Sequence, residues 1–266
     1  PTVNAGAVRN QGLEVAISYQ QRFNKDLKLN VSYNFTTLDN EVLAVNNGTG
    51  FIEGGAFGVG QLAPSRMEVG LPIGYFYGYQ TDGIFQNASE IEAHPSQIAL
   101  GANAQPGDLR FVDVNGDGVI DPNDRTNLGD PIANMTMGLN FQVEYKRFDL
   151  LTYAFASLGG DIVRNYERAL SDVNRLDYYL SRWTGEGTSN EVPRTTTAAT
   201  ANGVFSDFFV EEATFLRLQT VQLGYTLPFK VGPDRKSSLR LYVSGNNLLT
   251  LSDYQGFDPG ASSGAP

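Results

Sequence analysis

The stretch "GLEVAISYQQRFNKDLKLNVSYNF", residues 12–35, decides the fold class. Leu13, Val15, Ile17 and Tyr19 fall on one face, and Glu14, Ser18 and Gln20 on the other. After a polar turn, "RFNKD", the alternation resumes: Leu27, Leu29, Val31, Tyr33 and Phe35 alternate with Lys28, Asn30, Ser32 and Asn34. Side chains that switch face at every residue mark a β-strand, and a short polar link between two such runs marks an antiparallel hairpin.

Working outward, the same pattern returns twice. "MGLNFQVEY" and "FDLLTYAFA" are joined by "KR". Leu139, Phe141, Val143 and Tyr145 alternate with Asn140, Gln142 and Glu144, and Leu151, Tyr153 and Phe155 are expected to continue that face on the return. "FLRLQTVQLGYTL" and "LRLYVSGNNL" are joined by "PFKVGPDRKSS", with Val221, Leu223 and Tyr225 on one face and Leu239, Leu241 and Val243 on another. Each run is about nine to eleven residues, the length a tilted strand needs to cross a bilayer. The links within pairs are short. Those between pairs are expected to be long loops, roughly residues 37–134 and 158–213. Short turns at one end and long loops at the other is the layout of an outer-membrane barrel, whereas a compact sandwich has turn signals every 8–12 residues or so. Phe23, Tyr145, Phe148 and Phe229 sit near strand ends, where barrels carry aromatic girdles.

Composition narrows the function. The 266 residues carry a formal net charge of −10 with no basic run, which argues against a nucleic-acid partner. There are 0 Cys and a single His, His94, so disulfides, thiolate chemistry and a multi-His zinc site are excluded. No run of about 18 apolar residues exists to form a transmembrane helix. The opening "PTVNAGAVRN" lacks the charged and apolar regions of a signal peptide. The chain is expected to be cut from a longer polypeptide.

One motif invites a metal. In "DVNGDGVIDPND", residues 113–124, Asp113, Asn115 and Asp117 stand at positions one, three and five of the EF-hand calcium pattern. Gly118 supplies the turn at six, Val119 a carbonyl at seven and Asp121 the ninth position; Asp124 replaces the usual Glu at twelve. Ile120 is the apolar anchor. Four carboxylates on one turn repel one another unless a cation lies among them. The alternative is a metal-free network of Asx turns. The flanks, "QPGDLRFV" and "RTNLGDP", are strand-like or broken by Gly and Pro. A bound calcium would therefore be a structural staple, not the trigger of a helix pair.

Other candidates are weaker. Glu211 and Glu212 are adjacent and point apart, and Glu186 and Glu191 lie in a polar loop, so neither pair suits glycoside hydrolysis. His94 precedes Pro95 in a polar loop, Gly58 and Gly60 lack a strand-to-helix context, and no enzyme is expected. Tyr75, Phe76, Tyr77 and Tyr79 are candidates for stacking on sugars, with packing the commoner role. "DIVRNYERALSDVNRLDYYLSRW", residues 161–183, is the best helix, with Ile162, Tyr166, Leu170, Val173 and Leu176 at helical spacing.

Five stretches together resemble a known family: "NAGAVRNQGLEVAISY", "LPIGYFYGYQTDGIFQN", "GDLRFVDVNGDGVIDPNDRTNLGDP", "FLRLQTVQLGYTLP" and "LRLYVSGNNLLT". In that order they look like the C-terminal half of the SusC/RagA-type TonB-dependent transporters of Bacteroidota. The resemblance implies an all-β chain: part of a 22-stranded antiparallel transmembrane barrel with long extracellular loops and a plugged lumen. It implies a SusD-like surface lipoprotein as lid, contact with TonB, and import of glycans, oligosaccharides or peptides across the outer membrane of a Gram-negative bacterium. The plug would precede residue 1, and the final strand would follow residue 266. Two other readings remain open at this point: a soluble calcium-stabilised glycan-binding domain and a passive porin.

Overall fold

In a computed structural model, the structure describes residues 6–56, 63–164, 176–231 and 237–260. The chain is all-β. Its six-stranded and four-stranded sheets are antiparallel, and the one α-helix among the described residues is Ala88–Ala93. It divides into two compact units.

The unit made of Asn10–Asn40, Ile132–Asp161 and Glu212–Pro266 is built on a six-stranded sheet. Its strands are Glu14–Arg22, Leu27–Thr37, Met135–Tyr145, Phe148–Leu158, Phe215–Val231 and Ser237–Leu251, neighbours in space in chain order. The three hairpins expected from alternation are all present. Their turns follow local chemistry: Asn24 Oδ1 accepts from the amides of Asp26 (2.8 Å) and Leu27 (2.9 Å), and Lys146 takes a left-handed φ of 55° between Tyr145 and Phe148.

Register carries the alternation across the whole sheet. One row runs Ile17, Tyr33, Leu139, Ala154, Leu218, Leu249; another runs Leu29, Val143, Leu150, Leu223, Val243. On the opposite face run Ser18, Ser32, Asn140, Tyr153, Thr220, Asn246 and Gln20, Asn30, Gln142, Leu151, Gln222, Ser244. The sheet thus has one apolar face and one largely polar face. Bulges keep it so: Gln219 is slipped out of register between Leu218 and Thr220, which absorbs two consecutive polar residues without moving the leucines off their face.

One expectation about faces is corrected. Leu151, Tyr153 and Phe155 do not continue the apolar rows; Leu150, Thr152 and Ala154 do. The two-residue turn pairs Tyr145 with Phe148 and so fixes parity, and a one-residue slip exchanges every side chain. "LL" at 150–151 hid the choice. In the third hairpin the two apolar sets share one face, with Leu223 opposite Val243 and Tyr225 opposite Leu241.

The apolar face is uncovered. Ile17 is 61% exposed, Leu241 58% and Val243 69%. At the short-turn end Tyr145, Phe148 and Tyr225 form a continuous aromatic row, with the Phe148 and Tyr225 rings 4.7 Å apart. Phe23 and Phe229 are exposed at the same end.

The second unit holds Pro1–Arg9, Glu41–Pro131 and Ile162–Glu211. These segments, expected as long loops, are folded around a core of their own. Tyr79, Ile84, Leu109, Phe111, Ile120 and Ala201 pack together, with Phe76, Phe205 and Phe209 as a second cluster. The helix expected over residues 161–183 is not seen where the structure describes it. Ile162 lies in the strand Asp161–Val163, and Leu176 caps the 3-10 turn Asp177–Ser181. Tyr166, Leu170 and Val173 lie outside the described residues.

Candidate functional site

The acidic loop at residues 113–124 is held from inside. Ile120 is fully buried, its amide donating to the Ser96 carbonyl at 2.9 Å. Asp124 is also fully buried, and both of its oxygens are used. Oδ1 accepts from the amides of Val114 (2.9 Å) and Asn115 (3.3 Å), and Oδ2 from that of Asp121 (2.8 Å). The residue at position twelve therefore braces the loop's two ends. Asp121 reciprocates by accepting from the Asn123 amide at 2.7 Å.

The outer residues form a chain of Asx turns. Asp113 accepts from the amides of Gly116 (2.7 Å), Asp117 (3.2 Å) and Gly118 (2.8 Å). Asn115 accepts from Asp117 at 2.9 Å, and Asp117 from Val119 at 2.9 Å. The Gly118 amide first, then those of Gly116 and Asp117, hold the Asp113 carboxyl below the usual carboxylate range. Left-handed φ values at Gly116 (75°) and Gly118 (87°) make these turns possible.

Calcium takes oxygen ligands, and this donor set is all oxygen. A carboxylate oxygen bonded to one amide keeps a second lone pair for a cation. Among the described residues, however, no three acidic or histidine side chains are gathered closely enough to hold an ion. Asp113, Asn115, Asp117, Val119 and Asp121 are brought onto one loop, and Asp124 is buried beneath it, bonded to the Asn115 and Asp121 amides.

The firmest polar centre escaped sequence reading. Asp108, 1% exposed, receives a two-pronged bond from Arg194: Nε to Oδ1 at 2.7 Å and Nη2 to Oδ2 at 3.1 Å. Thr200 and Asn202 donate to Oδ1 at 3.0 Å each, and the Gln105 amide to Oδ2 at 2.9 Å. This centre ties together segments about 90 residues apart in sequence, which no local pattern reveals.

The other candidates resolve into packing. Tyr75, Phe76 and Tyr79 are buried, and Tyr77 lies under the Arg66 guanidinium at 3.8 Å, so none of the four is an open sugar platform. Glu211 pairs with Arg164 at 2.9 Å, and Glu186 accepts from Asn87 at 2.8 Å. His94 packs edge-on against Phe85 at 5.0 Å. Gly58 and Gly60 lie outside the described residues.

The sheet's polar face carries further ion pairs. Lys28 pairs with Glu144 at 3.0 Å, and Arg240 reaches Asp149 through Nε at 2.9 Å. Arg240 crosses over Gly224, where a Cβ would collide with both partners. At the other end of the same face Arg217 donates to Thr250 at 3.0 Å and pairs with Asp258.

No protein-family model matches the chain. Among curated proteins it is similar to the TonB-dependent receptor P3 of Formosa agariphila, 32% identical over 264 residues, 97% of this chain and 26% of that protein. It is also similar to the TonB-dependent receptor SusC of Bacteroides thetaiotaomicron, 27% identical over 276 residues, 99% of this chain and 25% of that protein. The solved structure of the RagAB peptide transporter matches with a TM-score of 0.70 at 21% identity, over 96% of this chain and 27% of that one. The chain thus spans about a quarter of the length of the relatives it matches.

Proposed function

The chain resembles the SusC/RagA-type TonB-dependent transporters along nearly its whole length, and from that premise we propose that it is wall and loop of an outer-membrane nutrient importer. The six strands are a sector of a closed 22-stranded barrel, apolar face to lipid and polar face to the lumen. The long loops contact substrate and a SusD-like lipoprotein lid. TonB acts through a plug that this stretch of sequence does not contain. Glycans, oligosaccharides or peptides are the cargo, moved without covalent chemistry.

The observation that carries the reading is the one-sided apolar face repeated over six consecutive antiparallel strands. Exposed apolar patches on a soluble monomer rarely exceed a few hundred Å². That face disfavours a soluble glycan-binding domain, and lipid is the solvent that suits it. A passive porin shares the wall but lacks the plug. Fractionation tests the reading: the full-length parent belongs in the outer membrane and should migrate faster on detergent gels before heating than after. Recovery in the soluble periplasm or the medium overturns it.

In the same reading residues 113–124 are a calcium-held staple of the loop unit. Asp113, Asn115, Asp117, Asp121 and the Val119 carbonyl would supply oxygens, and Asp124 would brace them.

A further inference from the structure

Three asparagines precede a glycine: Asn47, Asn115 and Asn202. Glycine has no side chain to keep its amide nitrogen away from the asparagine carboxamide, so at these pairs an Asn side chain most readily closes on the backbone. In the first two the Asn side chain is held from within its own turn: Asn47 by Gly50 (3.0 Å) and Phe51 (2.6 Å), and Asn115 by Asp117 (2.9 Å). Asn202 differs. Its Oδ1 accepts from the Leu109 amide at 2.8 Å and its Nδ2 donates to Asp108 Oδ1 at 3.0 Å, partners 93 and 94 residues away in sequence.

The backbone of this pair is pinned as well. The Asn202 amide donates to Thr200 Oγ1 at 3.3 Å. The Val204 amide donates to the Ala201 carbonyl at 2.9 Å, which puts Asn202 and Gly203 at the centre of a closed turn. Ala201 is 3% exposed, in the core with Leu109 and Phe111. Closure on Gly203 requires the Asn202 carboxamide to turn away from both distant partners. That would leave Asp108, a buried carboxylate, short of a donor, which is unfavourable. The closed unit thus protects the pair, and opening releases it.

In the opened unit the chemistry needs only water. The Gly203 nitrogen attacks Cγ of Asn202 and its N–H proton passes to solvent. The bond from Cγ to the side-chain nitrogen breaks, and ammonia leaves with a proton taken from solvent. The five-membered imide then adds one water at either carbonyl, giving aspartate or isoaspartate at position 202. Nothing is oxidised or reduced. Either product is wrong for the centre it left. It lacks the donor to Asp108 Oδ1 and sets a second negative charge against that oxygen, while Arg194 supplies a single positive charge. Isoaspartate also adds a methylene to the main chain between Ala201 and Val204, whose hydrogen bond closes the turn.

We propose that Asn202–Gly203 is a latent deamidation site that makes opening of the loop-rich unit one-way. Closed copies are protected. A copy that stays open long enough is modified and cannot rebuild the Asp108 centre. The reaction is independent of cargo and of any metal at residues 113–124.

The test holds the full-length receptor in outer membranes at growth temperature for days. Trypsin then releases the peptide that follows Arg194 and ends at Arg217, and mass spectrometry follows conversion of Asn202 to the acid. Modification through an opened state scales with the population of that state. Asp108→Ala should therefore speed conversion at Asn202 on the order of a hundredfold, the factor by which it raises opening. A gain below about tenfold overturns the guard. Asn202→Asp installs the product directly, and the Leu109 and Arg194 amides should then exchange hydrogen at least about tenfold faster; a smaller change overturns the one-way step. Should either variant fail to assemble, wild type in urea below its unfolding midpoint takes its place. Conversion at Asn202 should rise in step with exchange of the Leu109 amide, and exchange that rises without conversion overturns the guard. After urea is removed, exchange should stay fast in a largely converted sample; full recovery overturns the one-way step.

Discussion

Asp108→Ala should open the loop-rich unit from within. The carboxylate is 1% exposed and accepts five hydrogen bonds, two of them from Arg194. Removing one partner of a buried ion pair costs about 3–5 kcal/mol, because the other charge is left without compensation. The Arg194 side chain keeps 20% exposure and can recover some water, which places the cost near the lower end, about 3 kcal/mol. At 1.4 kcal/mol per tenfold, that is on the order of a hundredfold in the local opening equilibrium. Hydrogen exchange on the full-length receptor reads it at two amides. Arg194 donates to the Gly107 carbonyl at 2.8 Å, and Leu109 to Asn202 at 2.8 Å. Both should exchange on the order of a hundredfold faster, while the strands Met135–Tyr145 and Phe148–Leu158 keep their protection. An increase below about tenfold at these amides would refute the view that Asp108 is the unit's polar keystone.

Further expectations follow from single contacts. Gly78→Ala puts a Cβ 2.8 Å from the Phe205 carbonyl oxygen and 2.9 Å from Leu128 Cδ1; the cost of about 1–3 kcal/mol should appear as faster exchange of the Tyr79 amide, which donates to that carbonyl. Ser206→Ala should be neutral or stabilise by up to about 1 kcal/mol in local opening, since the buried Ser206 Oγ has no partner among the described residues; a clear loss would reveal a bound water. If calcium staples residues 113–124, both chelator and Asp117→Ala should speed proteolytic cutting there, and unchanged cutting in both would mark a metal-free turn network. The Gly260 amide first, then Arg217, hold the Asp258 carboxyl below the usual carboxylate range. A depressed carboxylate adds stability above the usual range and loses it as pH falls through its own lower value. The melting difference between wild type and Asp258→Asn should therefore be constant near neutral pH and shrink as the pH falls through the carboxyl's lowered value; a difference that grows as the pH falls contradicts it.

The hairpins were legible because alternation is local: six runs of period two gave six strands, with ends within about four residues of those found. Which residues shared a face was harder. Leu150 and Leu151 are both apolar, so only the turn between Tyr145 and Phe148 decides parity. The bulge at Gln219 likewise depends on the partner strand. The loop segments misled, since "DIVRNYERALSDVNRLDYYLSRW" carries helical spacing but its described ends follow tertiary contacts: Ile162 joins a strand, and the Arg164 amide bonds the Phe209 carbonyl at 2.8 Å. In the acidic loop the EF-hand-like spacing was visible, but the burial of Asp124 was not. Asp108, Arg194, Thr200 and Asn202 gave no signal, because buried polar centres are assembled from segments distant in sequence.

The central claim is that one face of the six-stranded sheet meets lipid and the other meets water. The chain has 0 Cys, so single cysteines can be placed in the full-length receptor once any elsewhere are removed. Asn140→Cys, Phe141→Cys, Gln142→Cys and Val143→Cys walk along the central strand, and Gln222→Cys and Leu223→Cys repeat the step on the strand Phe215–Val231. Labelling in intact outer membranes with a charged, water-soluble thiol reagent should strictly alternate: Cys at 140, 142 and 222 reacts, and Cys at 141, 143 and 223 is protected until detergent is added. Equal labelling at both sets would contradict the account.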